Sequence, residues 1–479
     1  MTSETLLCEP VSTVERDALL RSFRSRVVPN SDLDRRLVSF QANRKTPFHS
    51  WFKYREGFST GLVRYAIEHC GRSHGLLLDP FAGSGTALFE SRSLGWDSIG
   101  VDLLPVGPFI VEARLAAETA NPSHFPRLVD SVHDLDWESY FDPRFRFPHI
   151  PITEGAFSER TERALAGYRA YCRRHIADPQ MRKLFDFAAF CVLESVSFTR
   201  KDGQYLRWDQ RAGKDRVKSH FDKGPVPEFA VAVRTKLREM AEDISESRHA
   251  QDLFDEPAKN HQVSIDLRKG SCFDILPRML ASSVDLIVTS PPYCNRYDYT
   301  RTYCLELVYL GFDAVQVSAL RQQLLSSTVE NRAKVAEIEA AYAGRKDKKT
   351  FDGIREAFQQ QRALHEVLDI LYTLSKNKDL NNLNIPRMVE NYFFEMCVTV
   401  CEMARVLRKG GMVMMVNDNV RYAGEEVPVD LILSDFAESF GLRVENIWAL
   451  PRGKGNSSQQ MGLHGRSELR KCVYVWRKE

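Results

Sequence analysis

The stretch Leu76-Leu77-Leu78-Asp79-Pro80-Phe81-Ala82-Gly83-Ser84-Gly85-Thr86, followed by Ser98-Ile99-Gly100-Val101-Asp102, decides the fold class. Leu76–Asp79 is a short apolar run entered from glycine and reads as a buried parallel strand. The turn after it opens a helical pattern through Ala87-Leu88-Phe89-Glu90, and Ser98–Asp102 reads as a second strand ending in an acid. Strand, glycine loop, helix, strand and acid form the opening unit of a doubly wound α/β sheet. Gly83 and Gly85 let the turn pass close to a ligand where a side chain would clash. The helix behind them offers N–H groups that have no intrahelical partner. Asp102 stands 17 residues after Gly85, where a carboxylate can accept both ribose hydroxyls of a nucleoside. The loop lacks the GxGxxG fingerprint, because Leu88 takes the last glycine's place, and it lacks Gly-Lys-Ser/Thr. A nucleoside without a pyrophosphate therefore fits it better than a dinucleotide or ATP.

Further α/β segments appear at Gln262–Asp266, Val284–Thr289, Met412–Val416, Leu442–Leu450 and Lys471–Trp476. Between them the patterning is helical. The resulting organisation is an N-terminal arm and the first part of a catalytic domain over 1–109, the arm proper (1–45) reading as helical. A helical insertion follows over 110–260, then a second catalytic segment (261–311), a second helical insertion (312–390) and a C-terminal catalytic part (391–479). A helix is expected near 58–71, behind the Ser59-Thr60 cap signal.

The second chemical motif is Val288-Thr289-Ser290-Pro291-Pro292-Tyr293. It follows an apolar strand, at the carboxyl end where open α/β sheets bind ligands. Two successive prolines fix φ and remove two N–H groups, so the turn is stiff and its carbonyls stay uncommitted. The Ser290 hydroxyl and the Pro291 carbonyl can then receive both hydrogens of an –NH2 group, with Tyr293 lying flat against a base. Read alone, each motif also fits a plain strand-closing turn.

Together, Asp79–Thr86 and Ser290-Pro291-Pro292-Tyr293 resemble motifs I and IV of the amino-methyltransferase family of DNA methyltransferases, the N4-cytosine and N6-adenine enzymes. His49-Ser-Trp51-Phe52-Lys-Tyr54-Arg-Glu56-Gly-Phe58-Ser59 resembles motif X, which packs around the methionine end of the cofactor. The resemblance implies a Rossmann-like seven-stranded methyltransferase sheet with two mainly helical insertions. It implies S-adenosyl-L-methionine held by Asp79, Pro80, Phe81, Ala82, Gly83, Ser84, Gly85, Thr86 and Asp102, with Phe52 and Ser271 completing the site. It also implies direct transfer to a flipped base at Ser290, Pro291, Pro292 and Tyr293. The serine form of motif IV is met more often in N4-cytosine enzymes than in N6-adenine ones, and tilts the expectation toward N4 of cytosine. The C5-cytosine route needs a Pro-Cys nucleophile; Tyr293 follows Pro292, and Cys294 comes one place too late. Motif III departs from the family's Gly-Asp, reading Gly270-Ser271-Cys272-Phe273-Asp274. An RNA guanine-N2 methyltransferase and a non-catalytic nucleic-acid-binding protein of the same fold are the competing readings.

Two stretches are candidates for holding DNA. The first, from Arg200 to Lys223, is a basic loop with Tyr205, Trp208 and Phe221 interleaved, and offers Arg200, Lys201, Arg207 and Trp208 for phosphate contact and stacking. The second joins the last two strands and carries Arg452, Lys454, Asn456 and Gln459, of which the amides suit base edges. Asn417-Asp418-Asn419, at another strand's carboxyl end, either lines the pocket or is an ordinary strand exit.

Composition sets the remaining bounds. The 479 residues are 43% hydrophobic and 27% charged, with 66 basic and 64 acidic side chains for a net charge of +2. Bulk charge therefore does not hold nucleic acid; a local basic face must. Ten cysteines show no CxxC spacing, so neither a zinc knuckle nor a redox dithiol is expected, and no metal is implied. No signal peptide and no membrane span are read. The family resemblance, rather than composition, implies the setting: the cytoplasm of a bacterium or archaeon, with double-stranded DNA as substrate and a companion restriction or defence component.

Overall fold

The computed structural model describes residues 13–203, 205–212, 221–253, 263–451 and 469–479. Its strands are β1 (Val27–Pro29), β2 (Leu76–Asp79), β3 (Asp97–Asp102), β4 (Thr199–Asp202), β5 (Tyr205–Trp208), β6 (Ile265–Lys269), β7 (Val284–Thr289), β8 (Leu407–Asp418), β9 (Val420–Tyr422), β10 (Glu425–Val427), β11 (Leu442–Ala449) and β12 (Lys471–Lys478). The helices are α1 (Val14–Phe23), α2 (Thr60–Cys70), α3 (Thr86–Ser93), α4 (Val106–Thr119), α5 (His124–Ser131), α6 (Glu159–His175), α7 (Pro179–Val196), α8 (Phe229–Leu253), α9 (Cys272–Ile275), α10 (Tyr299–Thr302), α11 (Cys304–Tyr309), α12 (Ala314–Gln323), α13 (Val335–Gly344), α14 (Lys348–Gln360), α15 (Arg362–Lys376), α16 (Ile385–Val406) and α17 (Val429–Ser439).

The central sheet has the order β6-β3-β2-β7-β8-β12-β11-β1, and is parallel except for β12, which runs antiparallel to both neighbours. The chain winds outward from β2 through β3 to β6, then returns to β7 on β2's other side. That reversal between β2 and β7 leaves a crevice at their carboxyl ends. The α/β expectation holds, with one strand more than the seven expected. The arm is not wholly helical: Val27-Val28-Pro29 adds a parallel edge strand on β11, in the register Val27↔Ile447. Branched residues favour that strand, and proline is tolerated because it lies on an edge.

Alternation along the buried strands separates two cores. Leu78, Ile287, Val413 and Met415 face α16, α17 and the helices of the second insertion. Leu77, Leu286, Val288, Met412 and Met414 face α2 and the arm residues Leu33 and Val38. A third core joins α4–α8 to the Trp51–Tyr54 segment and to α11. Ser59 precedes α2 as expected, but its hydroxyl donates to the Leu37 carbonyl rather than capping the helix. The stretch read as a basic loop begins as a hairpin, β4–β5, turning at Gly203 with φ +58°. The described cysteines form no disulfide.

At the amino end of the sheet, Asp285 is buried and fastens three elements. It accepts from Arg72 Nη1 at 2.6 Å, Arg408 Nη1 at 2.7 Å and the Leu76 backbone N–H at 3.0 Å. Asp285→Ala removes the acceptor from all three and is expected to cost about 3 kcal/mol. The check is a lower urea midpoint at an unchanged m-value.

Candidate active site

The crevice holds a cavity lined by seven separate stretches of the chain. The first is the loop between β2 and α3. Gly83 and Gly85 take φ of +51° and +77°, the left-handed region that favours glycine. A Cβ on Gly83 would stand 2.7 Å from the Tyr54 ring, and one on Gly107 would stand 2.6 Å from the Gly83 carbonyl. The loop is thus pressed between motif-X-like residues and the start of α4. Asp79, Pro80, Phe81, Ala82, Gly83, Ser84 and Thr86 all line the cavity. Gly85 does not; it caps α3 behind them.

Asp102 closes β3 and also lines the cavity. Its Oδ2 accepts from the Gly83 N–H and its Oδ1 from the Leu104 N–H, both at 2.7 Å. Burial raises its carboxyl to about 7, while backbone donors from Leu104, Gly83 and Leu103 pull the other way. Two fixed N–H donors orient the carboxylate and leave a lone pair on each oxygen for a ligand diol.

The third segment is the Ser-Pro-Pro-Tyr turn. β2 and β7 pair in the register Leu77↔Leu286 and Leu78↔Ile287, which brings Asp79 beside Thr289. Thr289 Oγ1 donates to Asp79 Oδ1 at 2.7 Å, and the Phe81 N–H donates to the same oxygen at 3.1 Å. Burial lifts Asp79 to about 7, these two bonds oppose it, and Asp102 repels it further. Ser290 and Pro292 line the cavity. Ser290 Oγ donates to the Tyr293 hydroxyl at 3.1 Å, which aims its lone pairs elsewhere. Among the described residues no backbone N–H donates to the Pro291 carbonyl. Pro291 and Tyr293 are not part of the cavity wall; Tyr293 is half-buried, with Lys471 Nζ 6.0 Å from its ring centre. Asn417 and Asn419 are strand-exit residues, bonded to Tyr392 and Glu426, whereas Asp418 pairs with Lys471 at 3.7 Å.

The fourth segment is Tyr54-Arg55-Glu56-Gly57-Phe58, of which all but Arg55 line the cavity. Glu56 accepts from both the Tyr297 and the Tyr303 hydroxyls. Phe52 lies one layer back, buried against Phe190 and Tyr303, so the motif-X-like stretch presents Tyr54 and Glu56 instead. Glu56 belongs to the motif-X-like stretch, of which only Phe52 is expected at the cofactor from sequence alone. Gln323, Leu324 and Leu325 also line the cavity; nothing in their local sequence signals it. Gly270, Ser271, Cys272 and Phe273 complete the wall, with Ser271 Oγ accepting from the Phe273 N–H, and Asp274 is not part of it.

Of the residues expected to meet DNA, Arg200 and Arg207 are exposed and face each other across β4–β5. Trp208 is half-buried. Lys201 is a correction: β4 alternates inward and outward, so Lys201 points into the core at 3% exposure and pairs with Glu306 at 2.5 Å. It cannot touch a phosphate there. Arg452, Lys454, Asn456 and Gln459 lie outside the described residues. Among the described residues no His/Cys/Asp/Glu group could hold a metal ion, and no helix is long and apolar enough to cross a membrane.

Because the folded Asp79 carboxyl sits above its ordinary value of 3.8, its favourable contribution is full below that value and is lost as the pH rises through about 7. Asp79→Asn keeps an oxygen for Thr289 and Phe81. Its urea midpoint is therefore expected to gain on wild type between about pH 5 and pH 8, and equal changes in both proteins would refute the buried charge.

No protein-family model matches the chain. Curated relatives do. The chain is 41% identical over 466 residues, 96% of its own length and 92% of the relative's, to the type II methyltransferase M.AvaI of Nostoc sp., and equally to that of Anabaena variabilis. It is 37% identical over 479 residues, 97% of its length and 92% of the relative's, to the type II methyltransferase M.BsoBI of Geobacillus stearothermophilus. With this identity over nearly the whole of both chains, and with a methyltransferase-type sheet around the crevice, the chain belongs to the type II DNA methyltransferase family.

Proposed function

We propose that the protein methylates the N4 amino group of cytosine in double-stranded DNA, using S-adenosyl-L-methionine. The observation that carries this reading is the placement of Ser290 and Pro292, which flank the Pro291 carbonyl, on the wall of a cavity that Asp102 also lines. The cavity suits the cofactor: a carboxylate preset by two N–H donors fits a ribose diol, and the Gly83–Gly107 approach leaves no room for a side chain. When bound, the cofactor supplies an electrophilic methyl group.

The chain's own part is acceptance and positioning. Ser290 Oγ and the Pro291 carbonyl take the two amino hydrogens and draw the nitrogen lone pair out of the ring's conjugation. The two prolines hold those acceptors before the base arrives, so little reorganisation is needed. Ser290 is a neutral acceptor where N6-adenine relatives more often carry a carboxylate, which favours cytosine. Arg200 and Arg207 form an outward pair of cations on a hairpin that packs on α10, directly after the Ser-Pro-Pro-Tyr turn. Arg207 is tied to Asp202 at 3.3 Å and lies over the Phe221 ring, and both arginines stay exposed toward a phosphate backbone. The enzyme would act in the cytoplasm of a bacterial or archaeal cell beside a companion restriction component.

Digesting DNA from an expressing host to nucleosides for mass spectrometry should reveal N4-methylcytosine; N6-methyladenine, or a product only in RNA, would overturn the reading. Ser290→Ala should lower kcat by roughly a hundredfold and leave cofactor affinity nearly unchanged. Cofactor affinity should follow the Asp102 carboxylate: only the ionised form accepts both hydroxyls, so binding weakens as the pH falls through about 7. Calorimetry should give roughly tenfold weaker binding at pH 6 than at pH 8, with Asp102→Asn weak and flat across that range.

A further inference from the structure

Lys201 is buried and remote from solvent, yet its surroundings lead by direct contacts to the cavity. Its Nζ pairs with Glu306 at 2.5 Å, the two side chains retaining only 2% and 1% exposure. The same ammonium lies 4.3 Å above the centre of the Tyr303 ring and 5.2 Å from that of Phe52. Tyr303 donates its hydroxyl to Glu56, which also receives the Tyr297 hydroxyl, so both Glu56 oxygens are held. Tyr303 also stacks on Tyr54 with ring centres 5.5 Å apart and planes 14° apart. Both Tyr54 and Glu56 line the cavity.

The backbone supports the same path. Arg55, between Tyr54 and Glu56, donates to the Lys201 carbonyl at 2.5 Å and to Glu194 at 3.1 Å, and the Lys201 N–H donates to Glu194 at 2.9 Å. The cavity-lining segment is therefore tied to β4 by one direct hydrogen bond and by a second route through the shared acceptor Glu194. A buried ion pair is a poor way to gain stability, since apolar residues of similar volume often do as well. A cation over a phenol ring does something an apolar side chain does not: it is attracted to the ring face and so holds the Tyr303 ring in place beside Glu56.

We propose that Lys201 is a positioning residue for the cofactor cavity, acting through Tyr303 to fix Glu56 and Tyr54, and that it has no part in holding DNA. This rests on the reading that the cavity takes S-adenosyl-L-methionine. Its place on β4, next to the outward Arg200, makes the hairpin the element through which the DNA-facing surface and the cavity are joined.

The test uses full-length wild type, Lys201→Arg, Lys201→Met and the double variant Lys201→Met/Glu306→Leu. The double variant matters because Lys201→Met alone strands a buried carboxylate and threatens the fold. S-adenosylhomocysteine binding is measured by calorimetry, and initial rates are measured with labelled S-adenosyl-L-methionine and unmethylated plasmid DNA. The folded double variant should bind S-adenosylhomocysteine roughly tenfold more weakly, with KM for DNA and its salt dependence changed by less than about twofold. Lys201→Arg, which keeps a cation over the ring, should regain most of the affinity. Unchanged cofactor affinity in the folded double variant, even with a lowered melting temperature, would reduce Lys201 to a structural role and overturn the proposal. A raised KM for DNA with a shallower salt slope would overturn it too, by returning Lys201 to the phosphates. If wild type itself binds no S-adenosylhomocysteine, the cofactor reading fails and takes the proposal with it.

Discussion

Thr289 and Asp79 meet where the sheet changes winding direction, and their 2.7 Å hydrogen bond is the join on which the site depends. Each residue ends a strand, and each begins a turn that has no reason of its own to face the other. Pairing of β2 with β7 puts the two strand ends side by side, and the buried hydroxyl–carboxylate contact fixes their relative height. From that join the glycine loop runs to one side and the Ser-Pro-Pro-Tyr turn to the other. A methyl donor and a methyl acceptor must come within bonding reach, so the chemistry proposed here requires such a shared boundary.

The arrangement carries a cost that the fold absorbs. Asp79 is buried and Asp102 half-buried at the cavity wall; desolvation raises both to about 7, and Asp102 repels Asp79. Among the described residues no cation pairs with either; each is held by N–H or O–H donors. Such sites trade stability for a prepared charge, which is common where a ligand must be gripped. The compensation lies elsewhere, in two apolar cores on the faces of an eight-stranded sheet and in Asp285, which ties down the opposite end with two arginines.

The hairpin β4–β5 shows how a strand's period of two divides one basic segment between two tasks. Arg200 and Arg207 remain outside, while Lys201, one residue along, turns inward to Glu306 and Tyr303. Composition alone cannot make that division, because a basic tract reads the same whether it is a solvated loop or a strand with one face buried.

By itself the sequence determined the α/β class, the glycine loop, Asp102 and the Ser-Pro-Pro-Tyr turn. These are local facts: a left-handed φ demands glycine, successive prolines stiffen a turn, and an apolar run of four to six residues between breakers makes a buried strand. Tertiary structure decided the rest. The edge strand β1 exists because β11 offers it a partner, a pairing across more than four hundred residues that no window of sequence contains. Tyr54 and Glu56 displace Phe52 from the cavity wall because Tyr303, from a distant segment, covers the one and binds the other. Leu324 and Leu325 join the wall only through where α12 ends. Lys201 is interior because Glu306 waits there to pair with it; burial of a charge depends on its partner, and the partner is a property of the fold.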